Sequence, residues 1–571
     1  MQNFNVLVSP GTYLKSVMIK MSDPSLYKTS PGFAVIVDNK NTVLGVLTDG
    51  DIRKALVNGG HLNSPAEEVM STNPVTILYK RNTSKKQLHA EFVIQMRKHN
   101  KSLNSISEVI LVDEKNIFVD VLSVYDIVDD SLDNKKTAIY GLGFVGLTLS
   151  LVMANKGFEV IGFDKNDTVI QNIKNNKPSF YENGLQSLLE IVNKDELIYF
   201  TSNHNSLSCD IHLVTVGSPV INGSADLKDI KSVSKMISSV LKKGDVVIYR
   251  STIPVGTTRN IIIPILELSK LTAGIDFHIV FAPERTVEGN AIEELQSLPQ
   301  IVGGFSPTCT EIGIAIFAKI TSSVVDVDDL ESAELIKLIN NSFRDLVFAF
   351  ANEVANVSDQ FNINAFSLIS AANKGYPRNS IPLPSPGVGG YCLTKDPYLF
   401  ADTNSFSHSS YKPKLSKISR QINSQGGKYV YNKIDEYCKK VNKDIDTIKI
   451  LIIGIAFKGS PETSDIRYSS SIDLINLFSN KSNLYLHDYV VSKDDLLTVG
   501  ANVVEEIEEG FHNKDAVIFM NNHPMHTKIQ LSKLLNSMND SPLFFDGWNQ
   551  FVSSEIERVN NSKYSTMGYL S

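Results

Sequence analysis

TAIYGLGFVGLTLSLVMANKGFEVIGFDKND, Thr137–Asp167, decides the fold of this chain. An apolar run leads into a glycine turn, then into a long apolar stretch, then into a second apolar run that ends in an acid, which predicts strand, turn, helix and strand. Gly141, Gly143 and Gly146 follow the spacing GxGxxG, giving a tight turn, room for a pyrophosphate at a helix N-terminus, and close packing of helix on strand. Phe144 and Val145, between the second and third glycine, are assigned to the same cofactor site. Asp164 follows Gly146 at the end of IGFD, where its carboxylate would accept both adenosine ribose hydroxyls and repel a 2′-phosphate. The unit therefore reads as a site for NAD rather than NADP, with a purely structural glycine turn as the alternative.

Downstream, IHLVTVGSP (211–219) and DVVIYRSTIPVGTTR (245–259) predict further strands of a parallel sheet, whose C-terminal ends carry ligand loops. Ser218 and Thr252 sit at two such ends, where they would line the cofactor site or simply cap the next helix. Glu284, Arg285 and Glu288 follow in PERTVEGNA, where Arg285 could pair with either glutamate in a solvated turn. From Glu331 to about Ser358 there is no glycine or proline, and the run is so apolar that it predicts one long, largely buried helix. Glu334, Lys337, Asn341 and Arg344 form a narrow polar stripe along it. A buried lysine and asparagine are costly without partners, so the stripe is expected to face a site; the alternative is an exposed edge with Glu334 paired to Lys337.

SPGVGGYCLTKDP, Ser385–Pro397, sets a cysteine behind three glycines. Gly387, Gly389 and Gly390 permit close backbone approach by a bulky polar ligand, and Cys392 is the candidate nucleophile. Asp396 lies one helical turn on, so that it and Lys395 could position a water and tune the thiol. An inert buried cysteine is the plainer reading of the loop alone. IKILIIGIAFKGSPETSDIRYSS (448–470) repeats the strand and glycine-turn signal with Lys458 and Arg467 in the following loop, cations suited to a diphosphate. LYLHD, DAVIFM and LFFDGWN predict three more parallel strands.

The N-terminal segment, 1–134, carries an internal repeat. FAVIVD at Phe33 and VLTDGDI at Val46 recur, both at the same offset, as EVILVD at Glu108 and VLSVYDI at Val121. The pattern resembles a tandem pair of CBS domains, with the hydroxyl-x-x-aspartate signature at Thr48/Asp51 and Ser123/Asp126. The resemblance implies an adenine nucleotide held by its phosphate at the hydroxyl and by its ribose at the aspartate. Helix N-caps at Thr48 and Ser123 are the alternative. Ser131–Lys136 reads as a linker.

The 571 residues are 42% hydrophobic and 20% charged, a globular composition long enough for three or four domains. A net charge of -7 excludes a nucleic-acid binder held by a broad basic surface. The four cysteines have neither disulfide nor metal-ligand spacing, so no metal is expected and a reducing, cytoplasmic setting is. Neither an export leader nor a membrane span is expected.

Taken in order, GLGFVGL, STIPVGTT, PERTVEGNA, AELIKLINNSFRDLVFAFANE, SPGVGGYCLTKDP and GIAFKGSPETSDIR resemble the UDP-glucose/GDP-mannose dehydrogenase family, over about Thr137–Ser571. Arg344–Asp345 and GVGGxCL resemble most the branch acting on UDP-N-acetylhexosamines, with UDP-N-acetylmannosamine or UDP-N-acetylglucosamine as the substrate. The resemblance implies an α/β protein with two Rossmann-like doubly wound parallel sheets joined by a long central helix, plus the N-terminal α+β CBS pair. It also implies a regulatory segment 1–134, an NAD-binding domain 135–325, a central dimerisation and cysteine segment 326–430, and a UDP-sugar domain 431–571. The implied reaction is a four-electron oxidation of the sugar C6 alcohol that consumes two NAD, for a surface polysaccharide precursor. In it Cys392 forms a thiohemiacetal and then a thioester, Lys337 and Asn341 stabilise charge on the C6 oxygen, and Asp396 acts as base through a water. Glu288 would lie near that water and Thr252 near the reacting group, while Lys395 and Ser218 join the cofactor site. Glu284, Arg285, Arg344, Gly387, Gly389, Gly390, Lys458 and Arg467 would hold the nucleotide sugar, Arg467 across the interface of a homodimer. Tyr391, Thr394 and Gly217–Ser218 depart from the commoner pattern and bear on sugar preference. UDP-glucose oxidation, a two-electron hydroxyacid-type dehydrogenase and a non-catalytic nucleotide sensor are the competing functions.

Overall fold

The computed structural model describes residues 7–21, 32–80, 83, 85–99, 106, 108–123, 135–204, 207–221, 223–321, 323–402, 406, 409 and 411–571. The chain divides into two compact units, one of Met1–Lys135 with Ile314–Val324 and one of Lys136–Gly313 with Val325–Ser571.

The first unit is a structural repeat. Strands β1 (Leu7–Val8), β2 (Phe33–Val37) and β3 (Val43–Thr48) form one sheet, and β4 (Thr76–Leu78), β5 (Glu108–Val112) and β6 (Phe118–Ser123) form another. In each the first pair is parallel and the second antiparallel. Phe33 faces Thr48 and Val37 faces Val43 in one copy; Glu108 faces Ser123 and Val112 faces Phe118 in the other, so every partner is displaced by the offset of the sequence repeat. The copies also bond to each other reciprocally, Val43 N–H to the Asn116 carbonyl at 3.0 Å and Phe118 N–H to the Asn41 carbonyl at 2.8 Å. Thr48 caps the helix Asp49–Val57 in a capping box, since its hydroxyl accepts the Asp51 N–H while the Asp51 carboxylate accepts the Thr48 N–H. The side chain of Ser123 and all of Asp126 lie outside the described residues.

The second unit holds two large sheets with one topology. Strands β7 (Lys136–Tyr140), β8 (Glu159–Phe163), β9 (Ile198–Thr201), β10 (Ile211–Val214), β11 (Val246–Tyr249) and β12 (His278–Phe281) are parallel in the order β9-β8-β7-β10-β11-β12, and β13 (Gln300–Gly304) and β14 (Val324–Val327) extend that edge. Strands β15 (Ile450–Ile453), β16 (Leu484–His487), β17 (Asn502–Val503), β18 (Ala516–Phe519), β19 (Leu543–Asp546) and β20 (Lys563–Thr566) repeat it as β17-β16-β15-β18-β19-β20, closed by an antiparallel β21 (Tyr569–Leu570). Such strands read as unbroken apolar runs (Ile450–Ile453 is ILII, every residue buried) because helices cover both faces of a parallel sheet. In each sheet the order reverses beside the first strand, the crevice where doubly wound folds bind ligands.

The predicted long helix runs Leu330–Asp359, about 45 Å at 1.5 Å per residue, and starts where the Asp329 carboxylate accepts the Ser332 N–H. It is not buried all round as its composition suggested: Ile339, Phe343, Phe350 and Val357 are 46, 62, 51 and 51% exposed. Their spacing of four, seven and seven residues places them on one face, so the apolar positions serve two surfaces and only one of them is the core of this chain.

Candidate active site

The three glycines of the first turn act in three ways. Gly141 has φ +91°, a conformation that only glycine adopts without strain. A Cβ on Gly146 would stand 1.7 Å from the Gly141 carbonyl oxygen, so helix Phe144–Asn155 can pack this closely only on a bare Cα. A Cβ on Gly143 would meet nothing within 4 Å, which leaves the space at this helix N-terminus that a pyrophosphate needs. Asp164 binds the turn from behind, accepting the Leu142 N–H at 2.9 Å, and remains half-buried at the end of β8. These residues fit a dinucleotide.

The turn opens on a cavity of about 420 Å³ that runs from Gly143, Phe144 and Val145 to Lys337, Asn341 and Cys392. Cys392 is the second residue of the helix Tyr391–Ala401, near the N-terminal amides that favour negative charge. The helix starts from Gly390 at φ +84°, where a Cβ would meet the Phe457 ring at 2.7 Å. Alone among the four cysteines Cys392 is exposed, through the cavity. Crowding by protein still pushes its thiol above the ordinary value; the Lys337 ammonium opposes that shift and Asp396 adds to it.

One turn beyond the sulfur, Asp396 is completely buried. Its Oδ2 accepts from Asn341 Nδ2 at 2.6 Å, and its Oδ1 lies 2.8 Å from Lys395 Nζ. Burial alone would lower the Lys395 ammonium, but the Asp396 carboxylate outweighs it and holds the group above its usual range. Asp396 thus fixes two side chains that line the cavity without lining it itself.

Three models of the UDP-glucose/GDP-mannose dehydrogenase family match this chain: the NAD binding domain over residues 135–321, the central domain over 331–425 and the UDP binding domain over 451–553. The UDP-N-acetyl-D-mannosamine dehydrogenase of Campylobacter jejuni is 34% identical over 349 residues, 60% of this chain and 82% of the relative. The chain belongs to the UDP-glucose/GDP-mannose dehydrogenase family. It is an NAD-dependent nucleotide-sugar dehydrogenase with a CBS domain model matching residues 1–58. The NDP-N-acetyl-D-galactosaminuronic acid dehydrogenase of Ralstonia nicotianae is 29% identical over 352 residues, 60% of this chain and 80% of the relative. The solved UDP-D-ManNAc dehydrogenase of Pyrococcus horikoshii superposes with a TM-score of 0.67 at 26% identity, over 76% of this chain and 99% of that one.

In this dehydrogenase the second sheet supplies the far wall. Lys458 donates to the Glu288 carbonyl at 2.5 Å, and burial lowers its ammonium below the ordinary lysine value. Arg467 is held by Asp465, with N–O distances of 2.6 to 3.0 Å, lies 5.0 Å over the Tyr391 ring, and faces the Glu288 carboxylate at 3.9 Å. It lines the cavity of its own chain. Burial, reinforced by Asp465, holds the Glu288 carboxyl above the ordinary range.

Other residues are placed differently from the expectation. Glu284 lines the cavity but pairs with Arg250 and accepts the N–H groups of Arg285 and Thr286 at 2.7 and 2.8 Å, while the Arg285 guanidinium donates to the Pro299 carbonyl, not to either glutamate. The Ser218 hydroxyl donates to the Thr252 carbonyl and joins two strand-end loops; neither residue caps a helix. Lys337, Asn341 and the exposed Arg344 line the cavity with Gly389 and Gly390, but Glu334 turns away to a neighbouring loop. Gly387, at φ +95°, packs behind the wall, where a Cβ would lie 2.5 Å from the Ser470 hydroxyl.

Sequence reasoning missed Arg250 and treated Tyr391 only as a departure from pattern. A charge ending the fully buried strand β11 was the available signal for Arg250, which is 2% exposed and holds Glu284 in place. Tyr391 lies between two cations, 5.3 Å from Lys395 and 5.0 Å from Arg467, and borders both this cavity and a second one of about 560 Å³ on its other side. Among the described residues no group of three His, Cys, Asp or Glu side chains could hold a metal ion, and no helix is long and apolar enough to cross a membrane.

Proposed function

We propose that this chain oxidises the C6 hydroxymethyl of a UDP-N-acetylhexosamine, UDP-N-acetylmannosamine or UDP-N-acetylglucosamine, to the carboxylate with NAD as acceptor, making a surface polysaccharide precursor. The observation that carries the reading is one cavity wall that holds the cofactor turn, Lys337, Asn341 and Cys392 together. The acetamido class rests on the names of the relatives; UDP-glucose is the second reading. Residues 135–325 bind the cofactor, 326–430 present the thiol and 431–571 receive the nucleotide.

NAD held at the Gly141–Gly146 turn would supply the hydride acceptor for each of two oxidations. Lys337 and Asn341 stabilise negative charge on the C6 oxygen, the asparagine amide oriented by Asp396. Cys392 adds its sulfur to the aldehyde carbon as the C=O π bond opens, and the thiol proton passes, through water or a neighbouring base, to the former carbonyl oxygen, giving a thiohemiacetal. This adduct loses the second hydride and the hydroxyl proton to become a thioester, which water cleaves to carboxylate and free thiol. Glu288, lining the cavity with its proton affinity raised, takes a proton from that water in place of Asp396, which is fully buried and does not line the cavity. A covalent aldehyde cannot diffuse away between oxidations. Lys458 and Arg467 meet the diphosphate beside Gly389 and Gly390, with Glu284, Arg285 and Arg344 completing the sugar side, and Ser218, Thr252 and Lys395 the cofactor side.

The apolar face of Phe343 and Phe350 is the surface for a second copy, since a two-fold pairing lays the same stripe on itself. Phe343→Glu should then shift the sedimentation coefficient to that of a monomer. The N-terminal unit binds an adenine nucleotide at Thr48 and Asp51 and at Ser123 and Asp126; calorimetry with ATP, ADP and AMP showing no heat of binding at any of them would end that reading.

A panel of UDP-sugars bearing a C2 hydroxyl or a C2 acetamido group tests the substrate class by NADH formation. Faster turnover of an acetamido sugar is expected; preference for UDP-glucose would select the second reading.

A further inference from the structure

One buried carboxyl lies outside the groups assigned so far yet joins two of them. Glu334, 1% exposed on the long helix, accepts the Gly256 N–H at 2.6 Å, the Thr258 N–H at 2.9 Å and the Thr258 hydroxyl at 2.6 Å. These donors end the loop Ser251–Thr258, which starts at the cavity wall. There the Ser251 hydroxyl donates to the Val216 carbonyl at 2.6 Å and the Thr252 carbonyl accepts from Ser218. Val216 in turn crowds the cofactor turn, its Cγ1 standing 3.0 Å from where a Cβ on Gly141 would be. In the other direction along the helix, Lys337 is one turn from Glu334 and Asn341 two.

We infer that Glu334 is a positioning residue that registers the cofactor-side loop Ser251–Thr258 against Lys337 and Asn341, and that it does so in its carboxylate form. The arrangement of the three donors favours this. Two carboxylate oxygens can take two N–H groups and one O–H, whereas a proton on Oε2 would point at the Gly256 N–H and a proton on Oε1 would compete with the Thr258 N–H and force the Thr258 hydroxyl to turn from donor to acceptor. Burial pushes this carboxyl up to about 7, the donors from Thr258 and Gly256 opposing and Glu331 adding to the shift. Glu331 and Asp329 belong to the same helix end; from the opposite element Arg259 faces them, its guanidinium committed to Glu331 at 2.6 and 3.0 Å. The proton therefore exchanges where a small change of pH alters the loop. The inference rests on the proposed function only for the identity of the groups being aligned.

The test is NAD binding by calorimetry to the full chain between pH 5.5 and 8.5, with turnover measured alongside. Wild-type affinity should fall by up to about tenfold for each pH unit below 7, as expected when binding needs one ionised group. Glu334→Gln, which keeps the shape but cannot titrate, should bind more weakly and show no such slope. Thr258→Val removes a donor that favours the anion, so its slope should begin at higher pH. A Glu334→Gln protein that keeps the wild-type slope, or a wild type whose affinity is level from pH 6 to 8, overturns the inference. Should Glu334→Gln fail to fold, the direction of the Thr258→Val displacement decides. Normal NAD behaviour with no turnover of any UDP-sugar would instead defeat the proposed function and leave Glu334 in place.

Discussion

Asn341 and Asp396, far apart in the chain, meet in a buried hydrogen bond of 2.6 Å that ties the long helix to the cysteine helix. The same carboxylate holds Lys395 at 2.8 Å, so a single acid sets the amide and the ammonium that face the cavity. Asp396→Asn leaves Lys395 buried without its counter-charge. Breaking a buried pair in this way costs about 3–5 kcal/mol of stability. The expected result is a lowered melting temperature together with a drop in kcat. Asn341→Ala, which removes an oxyanion donor but leaves the pair, should cost about a hundredfold or more in kcat with a smaller loss of stability. Equal stability losses in the two variants would contradict this division of roles.

The thiol at Cys392 carries a second prediction. Crowding by the cavity walls raises it above the ordinary cysteine value, so the ligand-free protein holds it as the thiol near neutrality and ionises it only as pH rises. Cys209, Cys309 and Cys438 are buried, which makes iodoacetamide selective for Cys392. The alkylation rate should be low at pH 7 and still climbing above pH 9. A fast rate that is already level at pH 7 would show a thiolate stabilised by its neighbours.

Which parts of this site were readable in advance follows from the range of the forces involved. The two glycine turns, the parallel strands and the placement of Cys392 and Asp396 one helical turn apart are local, and spacing alone expresses them. The joining of Cys392, Lys337 and the Gly143 turn around one cavity needed the tertiary fold, but an apolar helix with an embedded lysine and asparagine already signalled a buried polar partner. Glu334 shows the limit. It belongs to the same stripe by spacing, yet the backbone N–H groups of Gly256 and Thr258, donors that every residue but proline carries, draw it away. The burial of the long helix was misjudged for a related reason: apolar residues such as Phe343 mark a face that needs covering, and the sequence does not say whether the same chain provides the cover.

A third prediction concerns stability and acid. His526 is fully buried beside Phe519, Tyr489 and His523, and burial lowers it to about 4. The unfolded chain takes up this proton first, so the contribution is complete above about pH 6.5 and is lost as pH falls towards 4, roughly 3 kcal/mol in all. Glu334 acts in the opposite sense, because the folded chain holds its proton more tightly and loses stability as pH rises towards 7. Comparing wild type with His526→Gln at each pH cancels the Glu334 term. The wild-type advantage in melting temperature should shrink between pH 7 and pH 5; an advantage independent of pH would assign His526 to packing alone.

The most direct measurement is the amount of NADH formed when a limiting quantity of the preferred UDP-sugar is consumed to completion. Capture of the aldehyde on Cys392 and its second oxidation require two NADH for each sugar and a carboxylate product. One NADH for each sugar, with free aldehyde in solution, would contradict the account.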